Sequence, residues 1–260
     1  MGEAVLTTRG LFKRFGALVA TNHIDFDLQA GERHALIGPN GAGKTTFVGL
    51  LSGILRPDGG TITLIGRDIT RERPDRRVKA GLARTFQISS LFRSLSVLEN
   101  VYLAASEHLG AARQMLRPAA HHRDVMQRAE EVISALGLDD DMDRKISEIA
   151  YGRQRLVEIA LALCLDPKVL VLDEPAAGIP GGQAAQLLDV IEQLPKQIAI
   201  VMVEHDMQVV RRFASHVTVF VGGTVLMTGS PQDVMSNDRV RSVYLGQTGH
   251  DRYARQPIRA

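Results

Sequence analysis

The chain contains no tryptophan and a single cysteine among 260 residues, and aromatic residues make up only 5% of it. One thiol, Cys164, excludes an internal disulfide framework and a cysteine-built zinc cluster. It lies in the apolar stretch LALCLDP, which fits a small buried hydrophobe better than a nucleophile. The scarcity of aromatics argues against a surface that stacks bases. Charge argues the same way: 31 Lys and Arg against 29 Asp and Glu leave a net +2, so the expectation is no nucleic-acid partner. No apolar run reaches the roughly eighteen residues of a membrane-spanning helix. The opening MGEAVLTTRGLFKRFG lacks the apolar core of a secretory leader, and Leu6 stands where a myristoylation motif wants Ser or Thr. A soluble cytoplasmic protein is expected, with any membrane role supplied by a partner. Internal repeats, low-complexity tracts and sustained heptads are also missing.

What is present suits a globular α/β fold. Hydrophobic residues are 45% and charged residues 23%, enough to bury a full core. His34–Ile37, Val169–Leu172 and Ile198–Val203 are short, continuous apolar runs, each followed by polar residues. Such runs suit a mostly parallel sheet covered by helices, where ligands gather beyond the carboxyl ends of the strands. Gly38, Asp173 and His205 should therefore lie close together.

Before and around the first of these runs, about Leu6–Leu64, partial alternation and turn glycines predict an antiparallel β layer. HVTVFVGGTVLMTGS reads as a hairpin turning at Gly222-Gly223. Between about 90 and 163 the period becomes helical. Ser96 and Glu99 form a capping-box pattern, and Val125, Ala129, Val132 and Leu136 recur at helical spacing until Gly137. The expected organisation is one domain over 1–249, with this helical block inserted in the α/β core, and a polar, basic tail over 250–260. The charged segment Gly66–Arg77 reads as a solvated loop.

Gly38-Pro39-Asn40-Gly41-Ala42-Gly43-Lys44-Thr45 fits G-x-x-x-x-G-K-[ST], after a predicted strand and before the helix opened by Thr46. Its glycines let successive backbone N–H groups curl around phosphate oxygens, and the helix N-terminus adds its positive dipole end. Lys44 brings a point charge to the β- and γ-phosphates, and the Thr45 hydroxyl suits Mg²⁺. No N-K-x-D pattern is present, which favours adenine over guanine.

The run KVLVLDEP ends an apolar strand in two carboxylates. Asp173 is placed to ligate the metal, and Glu174 to polarise a water for in-line attack on the γ-phosphate. That second acid points to a hydrolase, since a kinase must keep such a water out. His205, beyond the third apolar run, should reach the γ-phosphate. Gln87, at the border of the helical block, is a candidate ligand of Mg²⁺ and of the attacking water.

In this order, GPNGAGKTT, TFQ, IAYGRQR, VLVLDEP and VEHD, the chain resembles an ABC transporter ATPase subunit over about Leu6–Leu245. The resemblance implies a P-loop ABC ATPase fold with ATP and Mg²⁺ as cofactors. It also implies two ATPs sandwiched between two such subunits, and transmembrane permease subunits that contact the helical block. Ile149–Arg155 corresponds to the family signature, so Ala150, Tyr151, Gly152 and Arg153 would face the ATP of the opposing subunit. Phe15 matches the aromatic position that stacks on adenine; core packing is the equal alternative. GLARTFQ, AYGRQR and DEPAAG are most similar to LivG-like ATPases of branched-chain amino-acid importers. That implies a periplasmic solute-binding protein as an indirect partner and a place on the cytoplasmic face of the inner membrane.

Two positions depart from the pattern. Ala150 replaces a serine whose hydroxyl contacts phosphate in many relatives, and Pro180 replaces an Asp or Asn. Proline has no N–H and a fixed φ, so communication between subunits is expected to differ. A soluble ABC-type ATPase that switches a non-membrane partner is the alternative function. Intact Lys44, Asp173, Glu174 and His205 count against slow, switch-like hydrolysis.

Overall fold

The computed structural model describes residues 4–85, 91–111 and 123–248. From Ala4 the chain doubles back on itself: β1 (Ala4–Phe15) and β2 (Leu18–Gln29) pair antiparallel, with Gly16 in the left-handed region (φ +57°) at the turn. β3 (Arg33–Ile37) leads through the glycine loop into α1 (Lys44–Leu51), and β4 (Gly59–Leu64) and β5 (Arg67–Asp68) follow. β2, β1, β4 and β5 form an antiparallel sheet in that order, the N-terminal β layer expected from the alternating pattern.

After α2 (Pro74–Lys79) and β6 (Leu82–Arg84) come three helices, α3 (Val97–His108), α4 (Arg123–Ala135) and α5 (Tyr151–Leu163). The capping box is formed: Ser96 accepts from the Glu99 N–H, while the Glu99 carboxylate accepts from the Ser96 N–H. The chain then alternates through β7 (Val169–Asp173), α6 (Gly181–Glu192), β8 (Ala199–Val203), α7 (Met207–Phe213) and β9 (His216–Val221). It ends its described course with β10 (Thr224–Gly229), α8 (Pro231–Ser236) and α9 (Asp238–Thr248). The second sheet has the order β10-β9-β3-β8-β7-β6, parallel except for the β9–β10 hairpin. That hairpin turns at Gly222 and Gly223, both at positive φ, as a tight two-residue turn of matching twist requires.

The continuous apolar runs have a simple cause, because side chains alternate across a strand and both faces of this sheet are covered. Leu170, Leu172, Ile200 and Met202 pack with residues of α3–α6 on one face. Val169, Val171, Ala199, Val201 and Val203 meet α1 and the antiparallel layer on the other. Cys164 is fully buried in the first of these cores, and burial pushes its thiol up to about 12. A reagent that modifies thiolates should leave native Cys164 untouched at neutral pH; rapid labelling in the native state would show that α5 opens there.

The segment Gly66–Arg77 departs from the expected solvated loop. Gly66–Asp68 turns into the short strand β5, and Arg77, in α2, is 1% exposed. Its guanidinium donates from Nη1 to the carbonyls of Leu50 (2.5 Å) and Leu51 (2.7 Å), from Nη2 to Thr70, and from Nε to Glu72. Leu50 and Leu51 end α1, whose own last turn carries no basic residue. Arg77 thus adds charged donors to carbonyls at a helix C-terminus and places positive charge there, where the helix dipole favours it. Burial brings its pKa down to about 10, so the group remains charged at neutral pH. The charged pattern concealed a buried clamp on the helix that carries the phosphate loop. Arg77→Ala should cost about 3–5 kcal/mol, because a buried charge-assisted network to four carbonyls is lost. Denaturant unfolding of the variant checks this.

Candidate functional site

Parallel pairing brings three strand ends to one row. Leu36 and Asp173 both lie in register with Val203, and the ladder runs one residue further. The Glu174 N–H donates to Val203 O (3.0 Å) and the Glu204 N–H to Leu36 O (3.2 Å). Gly38, Glu174 and His205 leave the sheet together, as the strand reading required.

The glycine loop is shaped by contacts that only glycine tolerates. A Cβ on Gly38 would stand 2.2 Å from Phe220 O, and one on Gly43 would stand 2.3 Å from Ala20 O. Both residues are at positive φ. The loop is therefore wedged between β2 and β9. Pro39, Asn40, Gly41 and Ala42 form its outer rim, and with Gly222 they line a shallow depression. Gly43 caps α1 without a side-chain hydrogen bond, so the first N–H groups of the helix keep their anion-binding capacity. Thr45 and Thr46 occupy that first turn.

Lys44 is buried, and its Nζ donates to the carbonyls of Gly38 (2.5 Å) and Pro39 (3.1 Å), folding the ammonium over the loop. Burial lowers its pKa, opposed by the negative charges of Glu174 and Asp173. Those two carboxylates are thus within electrostatic reach of the loop cation. Glu174 adopts φ +47°, uncommon for a residue with a Cβ and characteristic of functional positions. Its Oε1 lies 3.8 Å from Nδ1 of His205, which is two-thirds exposed. The geometry gathers a phosphate cradle, a lysine, two carboxylates and a histidine at one sheet edge.

Phe15 sits at the tip of the β1–β2 hairpin, 46% exposed, with Lys13 Nζ 5.4 Å from its ring centre. The core-packing alternative is excluded. Gln87 lies outside the described residues, as do residues 250–260.

The signature segment is placed elsewhere on the fold. Ala150 is the N-cap of α5 and offers no side-chain cap. Tyr151 is exposed and accepts a hydrogen bond from Arg155 at its hydroxyl, and Gly152 packs against Gln183 of α6. The Arg153 side chain turns back onto Asp141 (2.6 Å) and the Gly137 carbonyl (2.7 Å). Its guanidinium is engaged within the chain. Pro180 caps α6 through its carbonyl, which accepts from Gln183 and Ala184 N–H groups.

Two residues at the site escaped the sequence reading. Arg84, the last residue of β6, donates from Nη2 to Asp173 Oδ2 (2.8 Å) and from Nη1 to Ser52 Oγ (3.3 Å). Glu204 is buried; its Oε2 accepts from the His205 N–H, and its Oε1 has no partner among the described residues. Burial raises its pKa. A basic residue ending an apolar strand is the only available signal for Arg84, and it is visible only once β6 is known to neighbour β7. The cavity of about 540 Å³ among Arg128, Leu163, Lys168 and Pro195 shares no residue with this site.

A doubly covered parallel sheet with a phosphate loop and paired carboxylates at its carboxyl edge defines a P-loop nucleotide-binding protein. Residues 21–177 match the family described as ABC transporter, and the chain belongs to that family. It is 37% identical over 254 residues to the high-affinity branched-chain amino acid transport ATP-binding protein LivG of Salmonella typhimurium. That alignment covers 95% of this chain and 100% of the relative. BraF of Pseudomonas aeruginosa, also a high-affinity branched-chain amino acid transport ATP-binding protein, is 34% identical over the same share of both chains. Among solved structures, the ADP conformation of MJ1267, an ATP-binding cassette of an ABC transporter, superposes with a TM-score of 0.83. It is 28% identical and covers 94% of this chain and 99% of that one. The fold class is an ABC ATPase, and the nucleotide is the ligand its cassette is built for.

Lys44→Ala should weaken ATP binding about ten- to a hundredfold, the loss of a charge-assisted contact. Calorimetric titration of the folded variant checks this, and unchanged affinity would remove Lys44 from the phosphate site.

Proposed function

We propose that this chain is the ATP-hydrolysing subunit of an ABC importer for branched-chain amino acids or closely related solutes. The observation that carries the reading is the convergence of the phosphate loop, Asp173, Glu174 and His205 at the ends of β3, β7 and β8. The LivG and BraF likenesses, spanning 95% of the chain, support the importer class and its solute.

In this proposal Lys44 and the loop N–H groups hold the phosphates, and Phe15 stacks on adenine from the hairpin tip. Thr45 and Asp173, joined by Gln87, would hold Mg²⁺. One hydroxyl and one carboxylate beside a phosphate cradle suit that ion, which binds few protein ligands and shares phosphate oxygens. Bound Mg²⁺ offsets the charge of the phosphate oxygens. Glu174 accepts the proton of the attacking water or orients it, and His205, across from it, donates toward the γ-phosphate oxygens. Neither group needs to leave its strand end to act.

Two such subunits would enclose two nucleotides head to tail, with residues 149–155 of one facing the other's ATP. Ala150, Tyr151, Gly152 and Arg153 contribute there chiefly through the backbone at the start of α5, where the N–H groups of Tyr151 and Gly152 precede the first turn's hydrogen bonds to the Ala150 carbonyl. The subunit would sit on the cytoplasmic face of the membrane through transmembrane permeases that contact the helical segment, with a periplasmic solute-binding protein as the indirect partner. Among the described residues no helix is long and apolar enough to cross a membrane. The domain is assigned to 1–249, with its helical part over about 90–163.

Glu174→Gln should retain ATP binding, lose on the order of 10²–10⁴ in hydrolysis rate and accumulate as an ATP-bound dimer. Turnover assay and light scattering report the two effects, and native-rate hydrolysis would remove Glu174 as the base. Affinity purification from native membranes tests the importer itself. Recovery of multi-helix permeases is the expected result, and active ATPase recovered without them would shift the reading to a soluble switch.

A further inference from the structure

We infer that Arg84 is a positioning residue whose charge keeps free divalent cations off Asp173 until nucleotide arrives. The inference rests on the assignment of Asp173 to metal binding in the proposed function. It begins from an ion pair that phosphate-loop chemistry does not itself require. Arg84 Nη2 lies 2.8 Å from Asp173 Oδ2, with the arginine side chain 10% exposed and the aspartate 1% exposed. Salt and water screen such a pair less than an exposed one.

The placement is fixed from three directions. β6 pairs with β7 in register Arg84↔Val171, and the Thr85 N–H donates to Val171 O (3.0 Å), which sets the backbone of Arg84 beside the metal-ligand strand. The second guanidinium nitrogen reaches Ser52 Oγ at 3.3 Å, at the C-terminal cap of the phosphate-loop helix. Nε is buried with no partner among the described residues, so the group is oriented by its two terminal nitrogens. Arg84 thus bridges the end of α1 to the carboxylate of β7.

The charge balance gives this bridge a consequence. Lys44 and Arg84 stand among the carboxylates of Asp173, Glu174 and the buried Glu204. Arg84 is in direct contact with Asp173 and offsets its charge before any ligand binds. A free divalent cation approaching Asp173 meets a carboxylate already matched by a guanidinium, and gains little. ATP adds several negative charges at the loop, and the same cation then finds net attraction. Metal and nucleotide are thereby made to bind together. Removing the Arg84 charge leaves the Asp173 carboxylate unmatched, and a divalent cation no longer needs the nucleotide. A mainly structural arginine would lower stability when replaced but would not alter metal affinity of the nucleotide-free protein.

The probe is Mn²⁺, followed by electron paramagnetic resonance on the full chain with and without ATP. Wild type should take up Mn²⁺ strongly only with ATP present. Arg84→Gln should bind Mn²⁺ without nucleotide at least about tenfold more tightly than wild type, from loss of one nearby charge. The gain should vanish in Arg84→Gln/Asp173→Asn. A folded Arg84→Gln protein with wild-type Mn²⁺ affinity, or a gain that survives Asp173→Asn, overturns the inference. Should Arg84→Gln not fold, Arg84→Lys decides: it keeps the charge and should keep exclusion, and a tenfold gain there overturns the inference. If wild type takes up no Mn²⁺ even with ATP, the metal assignment of the proposed function fails as well, an outcome distinct from failure of the Arg84 charge argument alone.

Discussion

The parallel pairing of β3, β8 and β7 is the constraint on which everything else depends. It puts Leu36, Val203 and Asp173 in one row, so that residues far apart in the chain leave the sheet at the same edge. The pairing is deeply buried, because every residue of β7 and β8 is buried. A one-residue slip would turn each strand's apolar side chains onto the wrong core. The register is therefore held by both cores, and the functional groups inherit its precision.

Around that base, positive groups are drawn from elements other than the ones they serve. Arg77 of α2 supplies the cation for the C-terminus of α1, and Arg84 of β6 supplies one for the end of β7. Both touch the same helix end, Arg77 at Leu50 and Leu51 and Arg84 at Ser52. The phosphate loop is thus braced at its far end by two arginines and at its near end by β2 and β9, which crowd Gly43 and Gly38. A rigid helix with an uncapped N-terminus is what anion binding needs, since donors already fixed in place lose little freedom when phosphate arrives.

How much of this could be read beforehand follows from how local each signal is. The three parallel strands, the antiparallel layer, the β9–β10 turn and the Ser96–Glu99 cap are periodicities or short motifs, and each stands where the pattern put it. The gathering of the phosphate loop, Asp173, Glu174 and His205 at one sheet edge was legible for the same reason. Arg77 and Arg84 were not. Each is a charged residue whose partners lie far off in sequence, Arg77 reaching α1 and Arg84 reaching β7 89 residues away. Charge patterning assigns such residues to solvent, because lone burial of a guanidinium is costly. Only tertiary contact reveals that carbonyls and a carboxylate await them. Phe15 was undecided for the opposite reason: an aromatic at the end of an alternating strand fits a core or a tip, and the tip position of Gly16 settles it.

Substitutions at the signature and beside Pro180 follow the same logic of backbone over side chain. Ala150 cannot cap α5 with a side chain, and among the described residues this leaves the N–H groups of Tyr151 and Gly152 for an outside acceptor. A serine there would divide its hydroxyl between its own helix and a phosphate. Pro180 likewise gives up an N–H yet keeps the carbonyl that begins α6, so the helix start is preserved while a donor is lost. Gly152 and Gln183 tie the two helix starts together, with the space at Gly152 too tight for a Cβ without displacement of the Gln183 amide. The start of α5 thus lies directly against Gln183 and Ile179, in the segment that follows Glu174, and this packing involves neither a hydroxyl at position 150 nor a carboxylate at position 180.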